Sequence, residues 1–255
     1  MIAALILGII QGFTEFFPVS STAHLVLLPW FFKWEGEVNT LTFDVALHAG
    51  TLLALLLCFW RDWVGMLLHK RRLFYLIILA SVPAGILGVL FNDVIEERFR
   101  SPYIISGALV AVGIVMFLSE KIFKHRSLEN LNLTDAAVIG ISQAVALVPG
   151  VSRSGITISA GLFRGLDRAS SARFSFLLST PIIAGAALLH AKKMLTGTEH
   201  YNLNLFMVGF AASAVTGFAA LKFMMIYFKN HSLNAFVYYR FLLAAVIILG
   251  IWLKI

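Results

Sequence analysis

The chain has 255 residues, of which 60% are hydrophobic and only 13% charged, and its mean hydropathy is +0.89. That leaves too little polar surface to cover a water-soluble core, so lipid must solvate much of the exterior. The net charge of +7 then reads as the lysine and arginine bias of membrane loops, and no nucleic-acid partner is expected.

In chain order, the opening MIAALILGII lacks the basic start and the cleavage site of a signal peptide, so it is expected to remain part of the structure. Residues 1–30 have an apolar start, a polar middle (GFTEFFPVSSTAH) and an apolar end. Proline breaks a helix, so this stretch should fold back as a re-entrant hairpin. Three spans should follow, at roughly 42–60, 73–91 and 102–119, each near the ~20 residues that cross a bilayer. Residues 134–163 repeat the broken pattern around ALVPGVSRSGIT, and spans near 174–191, 203–221 and 236–254 complete the chain. The only cysteine, Cys58, lies in an apolar run, which excludes an intrachain disulfide and a cysteine-built metal site.

The halves repeat. A displacement of 132 residues carries Gly8 onto Gly140, Gln11 onto Gln143, Val19 onto Val151 and Ser20 onto Ser152. In each half a broken hairpin precedes three spans, and an odd number of spans inverts the second half. The expected fold is an all-α polytopic membrane protein with six transmembrane helices and two re-entrant helical hairpins in an inverted-topology repeat. It forms one membrane domain over 1–255, with repeat one at 1–123 and repeat two at 134–255. Such repeats place a site near the midplane, where the interrupted segments meet.

Orientation follows from the basic residues. One face gathers Arg61, Lys70, Arg71, Arg72, Lys121, Lys124, Arg126, Arg164, Arg168, Arg173 and Lys229. The other gathers Lys33, Arg98, Arg100, Lys192, Lys193 and Lys254. The first face is expected to be cytoplasmic, with both termini outside.

Hairpin one offers Gln11, Glu15, Ser20, Ser21, Thr22 and His24. Gln11 and Glu15 are four apart and share a helical face. A carboxylate at membrane depth needs a partner or a task. The hydroxyls and the imidazole supply a nucleophile and a general acid/base, with Ser21 and His24 expected to meet along one turn. Hairpin two offers Ser152, Arg153, Ser154, Gly155 and Thr157. Its glycines let backbone N–H groups face an anion, a helix restarting after Gly155 would favour one, and the Arg153 fork suits phosphate oxygens. Arg153 could equally neutralise Glu15, and the two are expected to approach each other. Asp44 and His48 share a helical face that could border the site. His69, His125, His190, His200 and His231 read as wetted surface, and Arg240, near the start of the last span, as a snorkelling side chain.

Gln11 to His24 (QGFTEFFPVSSTAH) resembles the (E/Q)GxTEFLPVSSTGH signature of the BacA-type undecaprenyl-diphosphatases, and Pro149 to Thr157 resembles that family's PGxSRSGxT signature. Ser81-Val82-Pro83-Ala84 with Gly88, and Phe174 to Leu178 before Pro181, agree with it as well. Gln11 stands where many members carry Glu, and Ala23 where Gly is usual, so Glu15 is the only carboxylate of hairpin one. The resemblance implies dephosphorylation of undecaprenyl pyrophosphate to undecaprenyl phosphate, tolerance of bacitracin, and a divalent cation, Mg or Ca, with Glu15 as candidate ligand. It implies a polyprenyl pyrophosphate lipid as partner in the bacterial cytoplasmic membrane, with a homodimer as an admissible assembly.

On this reading Glu15, Ser21, His24 and Arg153 are the candidate catalytic residues. Ser21, a water or His24 itself would attack, His24 would serve as base and then acid, and Arg153 would hold the phosphate. Gln11, Ser20, Thr22, Ser152, Ser154, Gly155 and Thr157 would bind substrate. The rival class is a transporter or lipid flippase without hydrolysis, which shares inverted repeats but needs no nucleophile.

Overall fold

The computed structural model describes residues 1–99, 101–122, 124–196 and 202–253, with side chains at 92–98 and 190–196 excepted. Arg100, His200 and Lys254, and the side chains of Arg98, His190, Lys192 and Lys193, therefore lie outside the described residues.

Among the described residues, each half of the chain contributes five α-helices. The first half runs α1 (Ile2–Phe16), α2 (Ser21–Phe32), α3 (Leu41–Leu68), α4 (Arg71–Arg98) and α5 (Pro102–Ser119). The second runs α6 (Leu133–Val145), α7 (Arg153–Phe163), α8 (Arg168–Thr196), α9 (Leu203–Asn230) and α10 (Asn234–Trp252). Six of them, α3, α4, α5, α8, α9 and α10, are long and apolar enough to cross a membrane, in the order expected. Their outward faces are apolar too: Leu57, Val89, Leu188, Val215 and Leu242 are all exposed. With so much apolar surface outside, lipid completes the burial that a soluble fold would achieve internally.

The remaining four helices form two hairpins. α1 ends at Phe16, before Phe17 and Pro18, and α6 ends at Val145, ahead of a turn that contains Pro149-Gly150. Both chains then turn back through a serine of positive φ, Ser20 at 74° and Ser152 at 70°. Side chains rarely adopt that backbone, and two related examples at one place mark a site where surrounding contacts hold strain. Each serine caps the helix it starts. The Ser20 Oγ accepts from Ala23 N at 3.3 Å, and the Ser152 Oγ from Gly155 N at 3.2 Å.

Helix pairing follows a two-fold rule. α1 packs along α9, and α6 along α4, the counterpart of α9 in the first half. α5 packs on α10 and α3 on α8, each against its own counterpart. The repeated glycines set the first two contacts. A Cβ on Gly8 would lie 2.5 Å from the Gly209 carbonyl oxygen, and one on Gly140 would lie 2.4 Å from that of Ala80. Both hairpins thus press backbone to backbone into the other half, as small residues permit between helices in lipid.

Ion pairs tie the ends on the arginine-rich face. Asp135 in the first turn of α6 is buried between Arg126 and Arg164. Glu120, just after α5, pairs with Arg168 and Lys124 and accepts from Leu233 N at 2.9 Å, joining α5, α8 and the start of α10.

Candidate active site

Glu15 sits at the end of α1, where the hairpin break aims it into the protein, and it is 7% exposed. Its Oε2 accepts from the Ser21 hydroxyl at 2.7 Å and from Gln11 Nε2 at 3.0 Å, and lies 3.4 Å from His48 Nε2. Its Oε1 accepts from Arg153 Nη2. A carboxylate in so apolar a setting is expensive unless paired and hydrogen-bonded, and these four partners supply what it needs. Glu15 and Arg153, 138 positions apart, thus meet where the two hairpin tips converge.

Arg153 keeps a free hand. Its Nη1 is buried without a hydrogen-bond partner among the described residues. The helix α7 begins at Arg153, three residues earlier than the expected restart after Gly155, because Ser152 rather than the glycine makes the turn. The N-termini of α2 and α7 lie at the two hairpin tips, and helix N-termini favour anions.

These groups open into a cavity of about 310 Å³. Its polar end is made by Glu15, Ser21, Thr22, Asp44, His48, Ser152 and Arg153. Its walls are apolar, from Leu25 and Val26 of α2, Leu41 and Val45 of α3, and Ile182, Ile183 and Ala186 of α8. The wall residues of α3 and α8 come from the half of each helix remote from the arginine-rich loops, so the cavity runs from the hairpin tips toward the other face.

Several candidates face elsewhere. The expected Ser21–His24 pair does not form. The Ser21 hydroxyl turns to Glu15, while His24 Nδ1 donates to the Ser20 carbonyl at 2.7 Å and its Nε2 accepts from the Tyr239 hydroxyl at 2.7 Å. Both ring nitrogens are thereby used, and His24 does not line the cavity. Ser20 contributes its cap rather than a cavity contact. Ser154 Oγ donates to the Phe17 carbonyl at 3.2 Å, linking the hairpins. Thr157 Oγ1 bonds the Arg153 carbonyl at 2.7 Å and Ser175 Oγ at 2.6 Å, fastening α7 to α8. Gly155 packs beside Ser152 and Met116, and Gln11 reaches the site through Glu15. His69, His125 and His231 are exposed.

Arg240 corrects its expected reading as a snorkelling side chain: it is fully buried. Its guanidinium donates to the carbonyls of Ala108 and Leu109 in α5, of Pro18 in hairpin one, and of Gly150 and Val151 in hairpin two. The orphan carbonyls of both hairpin breaks therefore share one donor. An arginine close to the start of an apolar span, with no acid nearby in sequence, was the only available signal.

The residues present offer an implied divalent cation two carboxylates at the polar end of the cavity, Glu15 and Asp44. Among the described residues no group of three or more His, Cys, Asp or Glu side chains is placed to hold one. The one carboxylate at the hairpin tips is already engaged by Arg153, Ser21 and Gln11.

Six apolar helices and two hairpins that bring a buried arginine and a serine hydroxyl onto one carboxylate define a multi-pass helical membrane protein with a polar site between the hairpin tips. Residues 4–246 match the family described as Bacitracin resistance protein BacA, and the chain belongs to that family. It is 52% identical to the undecaprenyl-diphosphatase of Thermodesulfovibrio yellowstonii over 96% of this chain and 95% of that one. It is 46% identical to the undecaprenyl-diphosphatase of Moorella thermoacetica over 100% and 99%, and 44% identical to that of Caldicellulosiruptor bescii over 96% and 95%.

Proposed function

We propose that this chain hydrolyses undecaprenyl diphosphate to undecaprenyl phosphate and inorganic phosphate in the bacterial cytoplasmic membrane, recycling the lipid that carries cell-wall precursors. The observation that carries this reading is the convergence of Ser21 and Arg153 on Glu15 at the polar end of an apolar cavity. Removing the diphosphate form also removes the ligand of bacitracin, which accounts for the resistance in the family description.

The terminal phosphate accepts from Arg153 Nη1 and from N–H groups at the starts of α2 and α7. The Ser21 Oγ attacks phosphorus and passes its proton to Glu15 Oε2. The bond from phosphorus to the bridging oxygen breaks, and undecaprenyl phosphate leaves with the electron pair. Glu15 gives up that proton as the lipid phosphate departs. Water then attacks the phosphoserine and passes a proton to Glu15, the bond from phosphorus to Oγ breaks, and Glu15 returns the proton to Oγ, releasing phosphate with Ser21 restored. The protein's part is mainly placement and charge neutralisation. Thr22 and Ser152 border the phosphate as further donors. Gln11 and His48 hold Glu15, and His24 acts through the Ser20 turn as a positioning residue.

The Mg or Ca ion implied by the resemblance would accompany the diphosphate as its counterion, with ligands mostly from phosphate oxygens and water. The prenyl chain follows the apolar walls. With the arginine-rich loops inside, the cavity opens to the outer face, where both termini lie. Two inverted halves each supply one hairpin, so every protomer of a homodimer would carry its own complete site.

The test is purified protein in detergent supplied with undecaprenyl diphosphate and with a short prenyl diphosphate, with and without chelator. One phosphate and one undecaprenyl phosphate per substrate is the expected result. Lipid moved unchanged across proteoliposomes, with no phosphate released, would make the chain a transporter instead.

A further inference from the structure

Gln143, near the end of α6, is the repeat counterpart of Gln11. The two side chains have opposite fates. Gln11 donates to Glu15 four residues on, along its own helix. The displacement that carries Gln11 onto Gln143 carries Glu15 onto Leu147. The second half thus keeps the amide and lacks its carboxylate partner.

Gln143 is 2% exposed, and neither its Nε2 nor its Oε1 has a hydrogen-bond partner among the described residues. It lines the same cavity as Ser152, Arg153 and Ser21. Burying a primary amide with both ends unmatched is unfavourable, and such groups are matched by what the site binds. Around it the cavity wall is apolar, with Ala84, Ala146 and Leu147. A donor there is placed to serve a polar group that the ligand itself carries in.

We infer that Gln143 is a substrate-binding residue whose Nε2 donates to a diphosphate oxygen, completing from the second half the set begun by Ser21 and Arg153. The carboxyl-for-leucine difference between the halves suits this role. A carboxylate at position 147 would capture the amide and add a negative charge beside an anionic substrate, whereas leucine leaves the donor available. The inference rests on the phosphatase reading only for the identity of the ligand as a prenyl diphosphate.

The test compares wild type with Gln143→Leu. Binding of a non-hydrolysable farnesyl methylenediphosphonate is followed by ligand-dependent thermal stabilisation, and turnover by phosphate release. Gln143→Leu is expected to weaken analogue binding at least tenfold and to lower kcat/KM by a similar factor. Without ligand it should melt at or above the wild-type temperature, because an unmatched buried amide has been removed. Analogue affinity and kcat/KM within twofold of wild type would overturn the inference. So would a lower melting temperature with unchanged affinity, which would make Gln143 structural. If Gln143→Leu does not fold, Gln143→Met, unbranched and of matching length, carries the same comparison. Weakened analogue binding in a protein whose wild type releases no phosphate would leave the inference standing and defeat the hydrolysis.

Discussion

At the scale of residues, the chemistry depends on one carboxylate held between two hairpins. Glu15→Gln keeps the shape but removes the charge that faces Arg153 and the acceptor for the Ser21 proton. Its turnover is expected to fall by about 100-fold or more, in the range lost with a single key electrostatic group. Ser21→Ala should fall as far, and the double variant should be scarcely worse than the worse single, because the two groups serve one step. Independent, multiplicative losses measured by phosphate release would separate them. Arg153→Lys is expected to recover little of the loss in Arg153→Ala, since a point charge cannot contact Glu15 and a phosphate with two nitrogens at once. Glu15 and Arg153 were legible because a charge at membrane depth calls for a partner. The turn of His24 toward Tyr239 was not, because position 239 lies in the last span and only the folded chain brings it near.

At the scale of elements, Arg240 and the paired serines hold the hairpins in shape. Arg240→Met leaves five carbonyls without their donor. A loss of about 3 kcal/mol or more is expected, from the usual penalty for buried polar groups left unmatched. It should appear as a large drop in melting temperature together with lost activity. A near-wild-type melting temperature would show that the hairpins stand without it. Ser152→Gly is expected to be milder than Ser152→Ala: both remove the cap, but only glycine takes a φ of 70° without strain. The breaks at Pro18 and Pro149-Gly150 could be read from residue type alone. The restart of α7 at Arg153 could not, since a serine with positive φ breaks the local rule that would place the turn at glycine.

At the scale of the whole molecule, the repeat in sequence is faint, yet the helix pairing of the two halves is mutual. Four matched positions can be seen, and one of them is a glycine pair, Gly8 and Gly140, fixed by close backbone contacts. The rest of each span needs only to be apolar, so its sequence is free to drift. The arginine-rich face is locked by Glu120. Burial alone would raise its pKa, but Arg168, the Leu233 N–H and Lys124 outweigh that and hold the carboxyl below its usual range. A depressed folded-state pKa contributes stability that is complete above the unfolded value and is lost as pH falls through the folded one. Acid melting curves should therefore be flatter in Glu120→Gln than in wild type, while its neutral-pH melting temperature is lower. Parallel curves would remove Glu120 from that role.

The central claim is one phosphatase site built half from each hairpin. Its most direct test is phosphate release from undecaprenyl diphosphate by wild type, Ser21→Ala and Arg153→Ala, purified together and each shown to be folded. The account expects stoichiometric release by wild type and loss of at least about 100-fold in both variants, one from each hairpin. Either variant retaining a tenth or more of wild-type turnover would contradict it.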